Sequence, residues 1–230
     1  MTKSAAILQS NYIPWKGYFD QINAVDEFIL YDDVQYTKND WRNRNRIKSS
    51  HGLLWLTIPV GTSGRWPLPI RDVEVNPDVW AEKHWKTLSQ SYAKAGSFRT
   101  LAPQFEAVYA SLTERTLSDV NYRFIAVVCG LLGIQTRITR SMDYRLVDGR
   151  NERLVDLCRQ VGADIYLSGP SARAYLDESL FEASGIEVRY ADYSGYPEYE
   201  QPHPPFEHAV SIVDLLFSEG AKARQFMKSF

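Results

Sequence analysis

Three short stretches gather hydrogen-bonding side chains immediately after apolar runs: Gln9-Ser10-Asn11-Tyr12, Asp32-Asp33-Val34-Gln35-Tyr36 and Ser168-Gly169-Pro170-Ser171. Amides, hydroxyls and carboxylates so placed can bind a polar small molecule, and aromatic rings among them can line its pocket. The same residue types also build turns and helix caps, so both uses stay open for each stretch. A fourth stretch, 39–48, reads NDWRNRNRIK. Its Asn43, Arg44, Asn45 and Arg46 can form a fork for a phosphate or carboxylate. Asp26, Asp32, Asp33 and Asp40 could instead neutralise it internally, leaving a solvated loop. Trp41 and Tyr36 favour binding, because a solvated loop has little use for large rings.

For proton transfer the candidates by residue type are His84, Asp32 and Asp33. His84 is the best general base, since its unperturbed pKa is near neutral, although a lone helical histidine is also well explained as structural. His51, His203 and His208 fall in loops. The sequence carries no HExxH, EF-hand, GxxxxGK[ST], GxGxxG or GxSxG pattern. Cys129 and Cys158 lack CxxC spacing and a nearby histidine, so no metal site is expected and both read as buried, reduced thiols. The residues name no cofactor.

These groups need elements to hold them. Residues 5–8 read as a buried strand, 15–24 as a helix and 27–31 as a second strand, a βαβ unit with parallel strands. Residues 34–48 read as a loop, 53–60 (LLWLTIPV) as a third strand and 61–76 as a long surface loop. Helices are expected over 77–95, 103–112 and 120–132, the last capped by Ser118-Asp119. The later half repeats the rhythm: strands at 136–141, 164–168 and 186–190, helices at 152–161, partly at 171–183, and at 209–217, with a Pro/Tyr-rich loop over 193–205. Alternation of this kind predicts a doubly wound α/β fold, Rossmann-like, with a mostly parallel sheet of five to six strands and helices on both faces. In such sheets ligands bind beyond the carboxyl ends of the strands, where the polar stretches lie.

The chain has 230 residues. We read it as one α/β domain over 1–230 with a helical insertion around 77–132. With 44% apolar and 23% charged residues it needs no disulfide or metal staple. A net charge of −2 argues against general nucleic-acid or membrane-surface binding. The opening MTKSAAILQS is too polar for a signal peptide, no run approaches about 20 apolar residues, and the cytoplasm is the expected location.

The run ILQSNYIPWKGYF over 7–19 resembles the opening of the WbqC-like family. So do INAVDEFILYDDVQYTKNDWRNRNRIK, the strand WLTIPV, the group His84, Trp85, Lys86 and Tyr92, then Asn151-Glu152-Arg153-Leu154, and YLSGPSARAYLD. The likeness spans nearly the whole chain. One departure is Ser10, where the family usually has proline after the glutamine. The strand–PxxxGY–helix–strand pattern is also similar to the nucleotidyltransferase superfamily with its HxGH motif, with Gly17-Tyr18 where the second histidine of that motif stands.

The family resemblance implies a cytoplasmic protein of O-antigen, polysaccharide or natural-product pathways that transfers an acyl or aminoacyl (glycyl-like) group to an amino sugar or other small amine. Its partners would be a small-molecule substrate, such as a nucleotide-linked amino sugar, and an acyl or aminoacyl carrier. In that reading Tyr12, Trp15, Tyr18 and Tyr36 shape the pocket. Gln9, Asn11, Asn43 and Asn45 bind substrate or an oxyanion. Arg44 and Arg46 hold a phosphate, Ser168, Gly169 and Ser171 complete the rim, and Asp32, Asp33 or His84 takes the amine proton. The alternatives are an ATP-dependent, carboxylate-activating enzyme and a non-catalytic binding or scaffold protein. Donor, acceptor and oligomeric state are not readable from the residues.

Overall fold

β1 (Ser4–Leu8) and β2 (Glu27–Leu30) pair in parallel across the short helix α1 (Lys16–Asn23). Side chains along a strand alternate between its two faces. Ala6, Phe28 and Leu30 therefore join one hydrophobic cluster, and Ala5, Ile7 and Ile29 join another. A sheet buried on both faces reads as continuous apolar runs, which is how these strands stand in the sequence. The structure, a computed structural model, describes residues 2–62, 64 and 67–230. Ser63, Arg65 and Trp66, which fall in the loop expected over 61–76, lie outside the described residues.

The chain continues through β3 (Arg44–Ser49), β4 (Gly52–Thr57), the short pair β5 (Val60–Gly61) and β6 (Glu74–Val75), and three helices. These are α2 (Pro77–Tyr92), α3 (Phe98–Ala110) and α4 (Leu117–Leu132). Then come β7 (Arg137–Arg140), α5 (Arg150–Gln160), β8 (Ile165–Ser168), α6 (Glu178–Glu182), β9 (Glu187–Tyr190) and α7 (Ile212–Glu219). The central sheet has five strands in the order β7-β2-β1-β8-β9, all parallel. Leu154, Leu157 and Cys158 of α5 and Phe181 of α6 cover one face. Phe19 and Ile22 of α1 and Phe124 of α4 cover the other, with α2, α3 and α7 packed into the same cluster. The fold is a doubly wound, Rossmann-like α/β fold. Successive strands step outward from β1 to β2 and β7, and then on the opposite side to β8 and β9. The direction reverses between β1 and β8, so the switch point lies there.

The run over 53–60 is a correction. It does not enter the parallel sheet. β3 and β4 form a separate antiparallel hairpin in which Arg46 faces Trp55 and Ile47 faces Leu54. Leu53, Leu54 and Trp55 are exposed while Leu56 and Ile58 are buried. Its partner β3 falls inside the stretch expected as a loop over 34–48. The two-residue turn at Ser50-His51 is closed by Gly52, whose φ of 101° suits glycine. Two helix starts also move. α3 begins at Phe98, upstream of Pro103, which sits within the helix. α4 is capped by Thr116, whose side chain accepts from the Asp119 N–H, so Ser118 and Asp119 lie in its first turn.

If 53–60 is one arm of a half-exposed hairpin, its two faces differ in cost. We expect Leu53→Ser to change the unfolding free energy by less than about 0.5 kcal/mol, and Leu56→Ala to lower it by about 2–5 kcal/mol. Denaturant unfolding of both variants checks this, since a buried central strand would make both substitutions costly.

Candidate functional site

The ends of β1 and β2 are tied together by Asp32, which is almost fully buried. Its carboxylate accepts from the Ser10 N–H at 2.9 Å and the Ser118 hydroxyl at 2.5 Å. Its own N–H donates to the Ser141 hydroxyl oxygen at 3.2 Å, and its carbonyl accepts from the Arg71 N–H at 3.0 Å. A buried carboxylate is tolerated only when its oxygens are satisfied, and here backbone and hydroxyl donors do so. Asp33 accepts from Ser141 and pairs with Arg71. Ser10 is fixed through an N–H that a proline in its place would lack. Its hydroxyl also accepts from the Asn121 amide at 3.0 Å.

Beyond these ends, at the switch point, opens a cleft of about 540 Å³. Gln9 and Leu8 line it from β1, Tyr31 and Gln35 from the β2 end, and Ser168, Gly169 and Ser171 from the β8 end. Arg150, the first residue of α5, enters from the side with its guanidinium 3.7 Å from the centre of the Tyr175 ring. Arg150 makes no ion pair among the described residues. Burial raises the Tyr31 hydroxyl pKa, with the nearby Arg153 pulling it back. The cleft thus offers one cation without an ion pair among the described residues, two serine hydroxyls and two amides, with Ile7, Leu154 and Tyr166 also in its lining.

A smaller crevice of about 210 Å³ lies two residues further along the β1 exit, lined by Asn11, Pro14, Trp15, Trp41, Asn45 and Ala209. Its shape depends on a forced turn. Ile13 adopts φ 36°, a strained conformation for a β-branched residue. The Ile13 carbonyl is held there by the Asn45 amide at 2.9 Å and the Ser211 hydroxyl at 2.7 Å. Gly17 lets the Trp15 indole lie over the first turn of α1, because a Cβ at 17 would stand 2.3 Å from that ring. Arg42 joins cleft and crevice, donating to the Gln9 Oε1 at 3.0 Å and to the Asn11 Oδ1. Each amide oxygen thereby has a charged donor, with Gln9 lining the cleft and Asn11 lining the crevice.

The remaining sequence candidates have framework partners. Tyr12 is fully buried, and its hydroxyl meets the His84 Nδ1 at 2.9 Å and the Tyr109 hydroxyl at 2.6 Å. Burial lowers the His84 pKa to about 4, against a hydrogen bond with the Thr57 backbone that favours the charged form. Tyr18 donates to the Gln9 carbonyl at 3.0 Å, and Tyr36 is buried. Asn43 donates to the Ile58 carbonyl at 2.8 Å, and Asn45 also reaches the Tyr12 carbonyl. Arg44 and Arg46 lie on the exposed face of the hairpin. Both cysteines are unpaired and buried, and burial pushes their thiols up to about 12, where they are poor nucleophiles. Among the described residues, no group of three or more His, Cys, Asp or Glu is placed to hold a metal ion, and no helix is long and apolar enough to cross a membrane.

The model of the WbqC-like protein family matches residues 9–226. The chain belongs to that family. It is 50% identical over 226 residues to an uncharacterized protein of Mycobacterium tuberculosis, an alignment covering 98% of each chain. No solved structure matches it. In this WbqC-like chain the structure brings Gln9, Ser168, Gly169 and Ser171 together in the cleft, and Asn11, Trp15 and Asn45 together in the crevice. His84, Asp32 and Asp33 line neither. Arg150, which lines the cleft, and Arg42, which bonds Gln9 and Asn11, are not among the individual sequence candidates. The signal for Arg150 was available: it opens a helix after Asp148-Gly149, beyond the end of a strand at the same rim. Arg42 stands beside four other candidates of the same types, Asn43, Arg44, Asn45 and Arg46.

The His84 environment has a pH signature. Its folded pKa, about 4, lies below that of the unfolded chain, so the unfolded chain takes up the proton first as pH falls. This residue's share of stability is complete above about pH 6.5 and is lost as pH drops towards 4. We expect the His84 ring resonances to stay constant from pH 8 to 5 in an NMR titration, and His84→Gln to reduce the loss of stability between pH 6.5 and 4.

Proposed function

We propose that this WbqC-like protein is a transferase that moves an acyl or aminoacyl group onto the amine of an amino sugar or similar small molecule, with the anionic part of a nucleotide-linked substrate held in the switch-point cleft. The observation that carries this reading is the convergence of Arg150, Gln9, Ser168 and Ser171 on one 540 Å³ cleft at the strand-order reversal. That is where open parallel sheets place their ligands. Arg150 supplies a fork for a phosphate, held flat by Tyr175. The Gln9 NH₂ and the Ser171 hydroxyl supply neutral donors.

The reaction fits these groups without a covalent enzyme intermediate. The uncharged amine attacks the acyl carbon, the carbon–nitrogen bond forms, the bond to the carrier's oxygen or sulfur breaks, and the amine proton leaves with the carrier. Holding amine and acyl carbon together supplies much of the acceleration. Donors aimed at the developing oxyanion supply more, a role suited to the Gln9 NH₂.

The test combines calorimetry with product detection by mass spectrometry, using UDP-glucosamine as acceptor and glycyl and acetyl thioesters as donors. We expect binding of the acceptor, a mass gain of one acyl group, and roughly tenfold or greater loss of acceptor affinity in Arg150→Ala. Binding of ATP with magnesium and release of pyrophosphate would point instead to carboxylate activation. Absence of binding, with Arg150→Ala indistinguishable from the parent chain, would remove the transferase reading.

A further inference from the structure

The outer face of the β3–β4 hairpin carries an unusual grouping. The period of two sends Asn45, Ile47 and Leu56 inward and leaves Arg44, Arg46 and Trp55 outward. Trp41, from the turn before β3, joins them with its ring 5.4 Å from that of Trp55 at an interplanar angle of 36°. The Arg44 guanidinium lies 4.2 Å from the Trp55 ring centre, and that of Arg46 lies 5.7 Å from Trp41 and 5.8 Å from Trp55. Trp41 is 39% and Trp55 41% exposed, and adjacent exposed indoles are a common mark of a binding surface.

Neither arginine makes an ion pair among the described residues, although the charge of Arg44 is felt by Asp40. Their described hydrogen bonds run to backbone carbonyls, from Arg44 to Asn39 and from Arg46 to Ala209. The nearby carboxylate, Asp40, makes its ion pair with Arg42 at 3.7 Å. A guanidinium lying against an indole keeps its in-plane N–H groups for an acceptor such as phosphate. The same Trp41 lines the 210 Å³ crevice together with Trp15, Pro14 and Asn11, whose amide oxygen is held by Arg42. Indole rings, a proline, the Asn11 amide and two neighbouring guanidiniums are the complement of a ring with an apolar face and an attached phosphate.

We infer that this face is a second ligand site, which takes a phosphorylated sugar or a mononucleotide with its ring against Trp41 in the crevice and its phosphate on Arg44 and Arg46. Both candidate ligands share the ring-phosphate chemistry. The site is distinct from the switch-point cleft and stands whether or not that cleft binds anything. Arg42, bonded to Gln9 on one side and Asn11 on the other, would position groups for both.

The test titrates the full chain separately with glucose 1-phosphate, uridine monophosphate and inorganic phosphate, following heat and tryptophan fluorescence. One of the ring phosphates should bind and quench fluorescence, with inorganic phosphate at least fivefold weaker, and the one that binds identifies the ring. Trp41→Ala and Arg46→Gln should each weaken that ligand at least fivefold, while Arg150→Ala should leave the tryptophan-quench titration unchanged, since no tryptophan lines the switch-point cleft. If Trp41→Ala melts early, Arg46→Gln carries the comparison. The inference is overturned if neither ring phosphate binds, if inorganic phosphate binds as tightly, or if both variants retain full affinity. It is equally overturned if sedimentation shows a dimer that Trp41→Ala dissociates, which would make the face a subunit interface.

Discussion

The site depends on one buried carboxylate. Asp32 sits where β2 ends and collects Ser10 from β1, Ser118 from α4, Ser141 from the end of β7 and Arg71 from the segment before β6. From Ser10 the connection runs to Asn121, whose amide also donates to the Arg42 carbonyl at 2.9 Å. Arg42 in turn orients the Gln9 and Asn11 amides. A carboxylate withdrawn from water is expensive, and a partner removed from it leaves a buried charge unsatisfied. The chain therefore has little freedom at the β1 exit. The positions of the Gln9 and Asn11 amide oxygens on Arg42 follow from that restriction.

A second buried network fixes the hairpin. Asp214 of α7 accepts from the Tyr92 hydroxyl at 2.8 Å and the Tyr199 hydroxyl at 2.7 Å. Burial raises the Asp214 pKa, and these hydrogen bonds oppose that rise. Tyr92 also accepts from the Lys48 N–H at 3.1 Å, and Lys48 reaches Gln201 at 3.0 Å. Close by, Lys16 donates to the Pro197 carbonyl and lies over the rings of Tyr196 and Tyr199. Burial lowers its pKa to about 8, with Asp20 and Asp214 drawing it back up. These contacts hold β3 and the 193–205 segment against the α2 and α7 helices, so the indole and guanidinium groups outside the hairpin stand on a rigid base.

The parallel sheet was legible because burial on both faces leaves uninterrupted apolar runs, and because each run ends in a cluster of polar residues. The hairpin was not. In RNRIKS the inward positions are Asn45 and Ile47 and the outward ones are arginines, so a true strand has the composition of a loop. In LLWLTIPV the outward positions are Leu53 and Trp55, so a half-exposed strand looks fully buried. Gly52 after Ser50-His51 was the usable sign of a tight turn. The polar candidates divided for a related reason. Asn45, Tyr12 and Asp32 use their hydrogen-bonding groups on backbone carbonyls, N–H groups and each other's neighbours, and in a sequence a satisfied interior network has the same residue types as a binding site. Gln9, Ser168 and Ser171 were legible by position alone, at the ends of the two strands that flank the switch point.

The central claim, that ligand binds at the β1–β8 switch point, is tested most directly by amide hydrogen exchange with and without saturating UDP-glucosamine. Slower exchange is expected in peptides covering residues 7–9, 150–154 and 168–176, which contribute lining residues to the cleft from three separate parts of the chain. Unchanged exchange in all three, with protection confined to some other surface, would contradict it.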